Sequence, residues 1–253
     1  MDESVFSKHY WKQSAGELKR LRMLTFGALL CALSIAISGL YIVVGENLRV
    51  YFTFFITAVG CSVYGPVVGM LAAAVTDTLG YIMFPSGAYF PGYMLSEMLG
   101  ALIYSLFLYR KKITVLRIYG AKLLVNLLVN VALGCLWSKI LYGQGYLYYL
   151  VKSLIKNTLL LPLEVISLSA LFALVIPVFS RFGLMGKQDG ADLAQLQVSS
   201  SAIPVLGISC CLGGICSGYY WYMVKKTVFL LLGIILMGMG AILLLWRRHK
   251  EKK

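Results

Sequence analysis

The sequence predicts an all-α integral membrane protein, a six-helix bundle followed by a two-helix membrane hairpin. Three observations carry that prediction. The chain is 60% hydrophobic and only 13% charged, with a mean hydropathy of +0.82, which is more apolar surface than a soluble domain can keep from water. Apolar runs close to the roughly 20 residues that span a bilayer recur along it. Its basic residues cluster in short stretches between those runs, so the net charge of +13 reads as cytoplasmic loops and not as a nucleic-acid surface.

The elements follow in order. Residues 24–44 make the first span, and "ENLR" interrupts it. Residues 50–61 are apolar but short, and "YGP" at 64–66 marks a turn or break. Residues 67–84 end at "FPSGAYFPG", and residues 92–109 close on "RKK" at 110–112. Residues 118–141 and 153–179 complete the six. "RFGLMGKQDGADLAQLQ" at 181–197 is a polar linker. Residues 202–223 and 227–246 flank Lys225 and Lys226, and the chain ends in "RRHKEKK". The expected division is a substrate-binding body over 1–182, a cytoplasmic linker over 183–201 and a hairpin with a basic tail over 202–253. Lys19, Arg20 and Arg22 place the N-terminus in the cytoplasm. The basic tail joins it there if both late segments cross, giving a multi-pass protein of the cell membrane with both termini inside.

That topology puts "GENLR", "FPSGAYFPG" and "YGQGYLYYLVK" on the outer face. Each alone fits an ordinary loop with interfacial aromatics. Together, with Arg49, Lys152 and Lys156, they read as a basic, aromatic-lined mouth. Pro85 and Pro91 stiffen the ends of the second loop, which is expected to form half of a lid with Tyr89 and Phe90 as its cap. The "GENLR" loop supplies the other half.

Three acids lie inside apolar segments: Asp77, Glu97 and Glu164. A charge at mid-membrane costs on the order of 2.5–3.5 kcal/mol on insertion scales, so such groups face a bundle interior or a water-filled cavity. Asn126 and Asn130, four apart, share one helix face. Lys156 and Glu164 line one face at different depths. Asn126 and Glu97 fit interhelical hydrogen bonding. Asp77, Asn130, Asn157 and Glu164 lean toward a ligand site, because acids and amides together suit a heterocycle rich in donors and acceptors. Bases at the rim suit an anionic tail. On the first helix, Ala28, Ala32 and Ala36 form a small-residue stripe that admits close approach, either of a neighbouring helix or of a separate membrane partner.

Several chemistries are not indicated. The six cysteines lack paired Cys-x-x-Cys spacing, so no metal site is expected. "GLMGKQDG" has Arg181 and Gln188 where a phosphate-binding loop needs Gly and Ser or Thr. No nucleophile elbow appears. The chain is not expected to be an enzyme.

The stretches "ENLRVYFTF", "YGPVVGMLAAAVTDTLGYIMFPSGAYFPGYMLSEMLGALIYSLFLYRKK" and "LVNLLVNVALGCLWSKILYGQGYLYYLVKSLIKNTLLLPLEVISL" resemble the folate-specific group of substrate-binding S components of energy-coupling factor transporters. The resemblance covers roughly residues 20–182. It implies six membrane helices and a vitamin pocket near the outer face, with folate as transported substrate and no cofactor. It also implies partners, namely a membrane coupling protein and two cytoplasmic ATPases, with the S component toppling to release its load. Ala28 and Ala32 carry over as coupling residues, and Arg49, Lys156 and Asn157 as pocket residues. Tyr89, Phe90 or Tyr148 would stack on the pterin, and Arg49 or Lys156 would meet the glutamate tail. An S component for riboflavin or pantothenate is the first alternative, and a membrane scaffold or intramembrane enzyme the second. Residues 183–253 lie beyond the usual six-helix end, and Tyr51 and Thr53 depart from the smaller or more apolar residues expected there.

Overall fold

The computed structural model describes residues 8–45, 48–85, 89–143, 146–184, 196, 201–224 and 227–251. Among them, seven helical spans are long and apolar enough to cross a membrane. The chain forms two compact units, Met1–Ile113 with Leu171–Leu196, and Thr114–Ala170 with Gln197–Lys253.

The first unit opens with α1 (Lys8–Glu17), a polar helix, followed by the apolar α2 (Leu21–Ser38). The expected first span stops at Ser38, short of residue 44. Beyond it, β1 (Tyr41–Gly45) and β2 (Leu48–Tyr51) form an antiparallel hairpin in which Val43 pairs with Arg49 and Tyr41 with Tyr51. The two tyrosine rings lie 5.7 Å apart. Part of the stretch expected as helix and loop is therefore strand, as its β-branched residues favour.

The short 50–61 run and the 67–84 run appear within one element, α3 (Thr53–Met83), broken at Gly65. Gly65 adopts φ 78° and ψ −173°, a conformation essentially reserved for glycine. Pro66 then starts the second half, where its missing N–H costs nothing. The first half is only about 18 Å long at 1.5 Å per residue, less than a full crossing. Gly65 cannot cap the second half, having no side chain. Ser14 of α1 does so instead, its Oγ accepting the Val67 N–H at 3.0 Å.

The rest of α1 is held in the same way. The Tyr10 hydroxyl donates to the Ser105 carbonyl at 3.2 Å, and burial pushes its phenol up, so it stays protonated. Glu17 pairs with Arg20 and with Arg110 at 3.6 Å, and Arg110 also donates to Gln13. Arg110 follows α4 (Pro91–Leu108) with φ 53°, an uncommon left-handed conformation that these partners hold in place. The last turns of α7 (Tyr146–Arg181) complete the unit, with Phe179 edge-on to Phe26 at 5.3 Å.

A methyl group at residue 65 would sit 2.8 Å from both Ser14 Oγ and Tyr109 Cε1. Gly65→Ala is expected to cost at least about 2 kcal/mol from backbone strain alone. The melting temperature of the detergent-solubilised protein should fall by several degrees. An unchanged value would show that the break does not need glycine.

The second unit begins at α5 (Val115–Leu124), capped by Thr114. It continues without interruption through a π-helical stretch (Val125–Leu133) into α6 (Gly134–Tyr142). Val131 and Cys135 pack on Tyr149 of α7. The final pair, α8 (Ala202–Val224) and α9 (Thr227–Glu251), is the expected C-terminal hairpin. Its helices meet backbone to backbone, Gly207 against Gly240 and Gly214 against Gly233, an approach that only small residues allow.

Candidate functional site

In the second unit a continuous polar ladder joins α5 and the π-helical stretch to α7. Lys122 Nζ lies 3.3 Å from Glu164 Oε1, with side chains 3% and 11% exposed. Asn126 Nδ2 donates to the other carboxylate oxygen at 3.0 Å and to the Asn157 carbonyl at 3.5 Å. Asn130 Nδ2 donates to Asn126 Oδ1 at 2.9 Å and to Asn157 Oδ1 at 3.4 Å. The Asn157 amide in turn donates to the Ser153 carbonyl and hydroxyl at 2.8 and 3.1 Å. Ser153 Oγ closes the ladder on the Asn130 carbonyl at 3.2 Å.

Local sequence explains the alignment. Lys122, Asn126 and Asn130 recur every four residues, and Ser153 and Asn157 do the same on α7. The π-helical turns widen the backbone beneath Asn126 and Asn130, and such distortions are frequent at functional sites. Pro162 interrupts the hydrogen-bond pattern of α7 between Asn157 and Glu164.

The sites read from sequence separate as follows. Asn130, Asn157 and Glu164 come together in the ladder. Asn126 and Asn157 are buried, while Asn130 is the exposed member, and its side-chain amide oxygen, Oδ1, accepts no hydrogen bond among the described residues. It is the ladder's open end. Asn126 bridges two helices, as its reading as interhelical glue requires. Lys156 is half-buried on α7. Lys122, inside the 118–141 span, was not among the residues read from sequence; its four-residue step from Asn126 was the available signal.

The other candidates belong to the first unit or fall outside the description. Asp77 is half-buried on α3, with no hydrogen-bond or ion-pair partner among the described residues. Tyr89 is exposed, its ring 5.2 Å from that of Tyr81, and Phe90 lies edge-on to Tyr93 at 5.7 Å. Arg49 lies on β2 and Tyr148 on α7, but their side chains fall outside the described residues, as do Ser86, Gly87 and Ala88 of the aromatic loop. Ala28, Ala32 and Ala36 are all exposed on α2, beside exposed Leu29 and Leu33. Among the described residues no three His, Cys, Asp or Glu side chains converge as metal ligands would.

The chain is similar to known proteins over most of its length. Residues 22–187 match the family described as "ECF transporter, substrate-specific component". The chain is 30% identical over 170 residues to a "Folate transporter FolT" of Clostridium novyi (strain NT), covering 67% of this chain and 96% of the relative. It is 34% identical over 145 residues to a "Folate transporter FolT" of Leuconostoc mesenteroides subsp. mesenteroides, covering 54% of this chain and 77% of the relative. It is also similar to a solved structure titled "Crystal structure of FolT bound with folic acid", with a TM-score of 0.56 and 30% identity over 60% of this chain and 94% of that one.

Proposed function

We infer the function from one premise: this chain belongs to the substrate-specific components of ECF transporters. On that basis it is a multi-pass membrane component of a transporter and not an enzyme. Its substrate is folate, as the names of its relatives indicate. ATP hydrolysis then falls to separate cytoplasmic subunits that act through a membrane coupling protein.

The observation that carries the reading is the polar ladder. Packing alone rarely requires an acid, a lysine and three amides inside apolar helices, given the cost of placing them there. Asn130, accessible and holding a spare acceptor, is the group from which a ligand's hydrogen bonds would begin. Asn126 and Asn157 fix its orientation, with Glu164 holding Asn126 from behind, and Asn157 and Glu164 can exchange partners with a pterin edge. Asp77, Tyr89, Phe90 and Tyr148 remain proposed contacts on their chemistry alone. Arg49 and Lys156 suit the carboxylates of a glutamate tail.

Mass spectrometry of ligand carried through purification tests the substrate. Folate or a reduced folate supports the reading; riboflavin or pantothenate replaces it with another vitamin of the same transporter class. Arg49→Ala should weaken folate binding about 10–100-fold, the value of a charge-assisted hydrogen bond of about 1.5–3 kcal/mol. Unchanged affinity by calorimetry would make Arg49 structural.

A further inference from the structure

The family match ends at residue 187, so α8 and α9 lie outside it. Within the second unit they are not a free appendage. A Cβ built on Gly213 of α8 would lie 3.3 Å from the Leu159 carbonyl oxygen, 3.3 Å from Pro162 Cγ and 3.5 Å from Leu236 Cδ1. Leu159 and Pro162 belong to α7 and Leu236 to α9, and all three are buried. Gly213 is thus the point at which three helices meet.

The place on α7 matters. Pro162 has no N–H to donate, so the Thr158 carbonyl loses its partner one turn earlier. A helix weakened there bends easily, and in a bilayer its freed backbone groups depend on neighbouring helices. Asn157 precedes this weak turn and Glu164 follows it. The spacing between those two rungs therefore depends on the geometry of that turn, and α8 contacts α7 there.

We propose that Gly213 is a positioning residue for the ligand site: its missing side chain lets the C-terminal hairpin seat on the Leu159–Pro162 turn and hold the geometry of that turn, which aligns Asn157 with Glu164. The hairpin is then part of this chain's binding apparatus. The proposal rests on the ladder being the folate site.

The test uses the full-length chain in nanodiscs, titrated with folic acid. Gly213→Ala needs only a few tenths of an ångström and should weaken binding about threefold. Gly213→Val and Gly213→Leu should weaken it progressively, the latter more than tenfold. Val is the decisive variant if Leu does not fold. Gly218→Leu, where a Cβ meets nothing within 4 Å, should leave affinity unchanged. Pro162→Ala stiffens α7, and in that background the effect of Gly213→Val should fall to less than half its fold-change. A purely structural role predicts equal effects in both backgrounds, and that result would overturn the proposal, as would unchanged affinity in Gly213→Val. Failure of the parent chain to bind folic acid would instead overturn the substrate reading.

Discussion

Replacing Glu164 with leucine should remove most of the folded protein. Lys122 would then sit 3% exposed in an apolar helix pair with its ion-pair partner gone. Removing one partner of a buried ion pair costs about 3–5 kcal/mol, because the remaining charge has lost its compensation. That is much of the roughly 5–15 kcal/mol by which a typical domain is stable. Asn126 would also lose the acceptor of its 3.0 Å hydrogen bond. Glu164→Gln should be milder, since an amide oxygen still accepts from Asn126 while the charge is lost.

The double variant Lys122→Met with Glu164→Leu separates folding from binding. Replacing both members of a buried pair with apolar residues of similar volume is often neutral or stabilising. The monodisperse yield after detergent extraction should therefore return to near the parent level, while folate affinity stays low if the carboxylate orients the ligand site. Equal yields for the parent and Glu164→Leu would show that Lys122 finds other compensation.

The second large effect concerns transport without binding. Ala32→Trp should cut uptake of labelled folate in cells more than tenfold while leaving affinity within about twofold, if α2 is the docking face for the coupling protein. Ala28, Ala32 and Ala36 present an exposed small-residue face flanked by Leu29 and Leu33, which are 65% and 47% exposed. A partner backbone can approach such a stripe closely, and an indole in its middle holds that partner off. The variant should fold normally, because residue 32 is exposed in the isolated chain. Co-purification of the coupling protein with Ala32→Trp at normal yield would count against docking through this face.

Much of the fold was legible because membrane helices advertise themselves by length and hydropathy. The break at Gly65 was legible for a different reason: glycine followed by proline is a strong punctuation of backbone conformation. The β-hairpin was not. Its apolar "YIVV" continues the hydropathy of α2, and a short apolar run does not declare helix or strand. Nor was α1 legible as a packed element. Its buried residues, Tyr10, Ser14 and Glu17, do share one helix face, but two of them are polar and bind through hydrogen bonds and ion pairs. In the ladder, the Asn126–Asn130 spacing announced one side and Asn157 with Glu164 the other. Their registration across helices, the π-helical widening and the recruitment of Lys122 depend on tertiary packing, which no local pattern encodes.

The cap that Ser14 provides has a consequence for the order in which the protein is made. Its acceptor site waits for a donor 53 residues further along the chain, and Tyr10 waits for a carbonyl 95 residues on. α1 therefore cannot be fully seated until α4 has been synthesised. During that interval Tyr10 and Ser14 lack these two partners. α1 is thus made well before the partners that hold it.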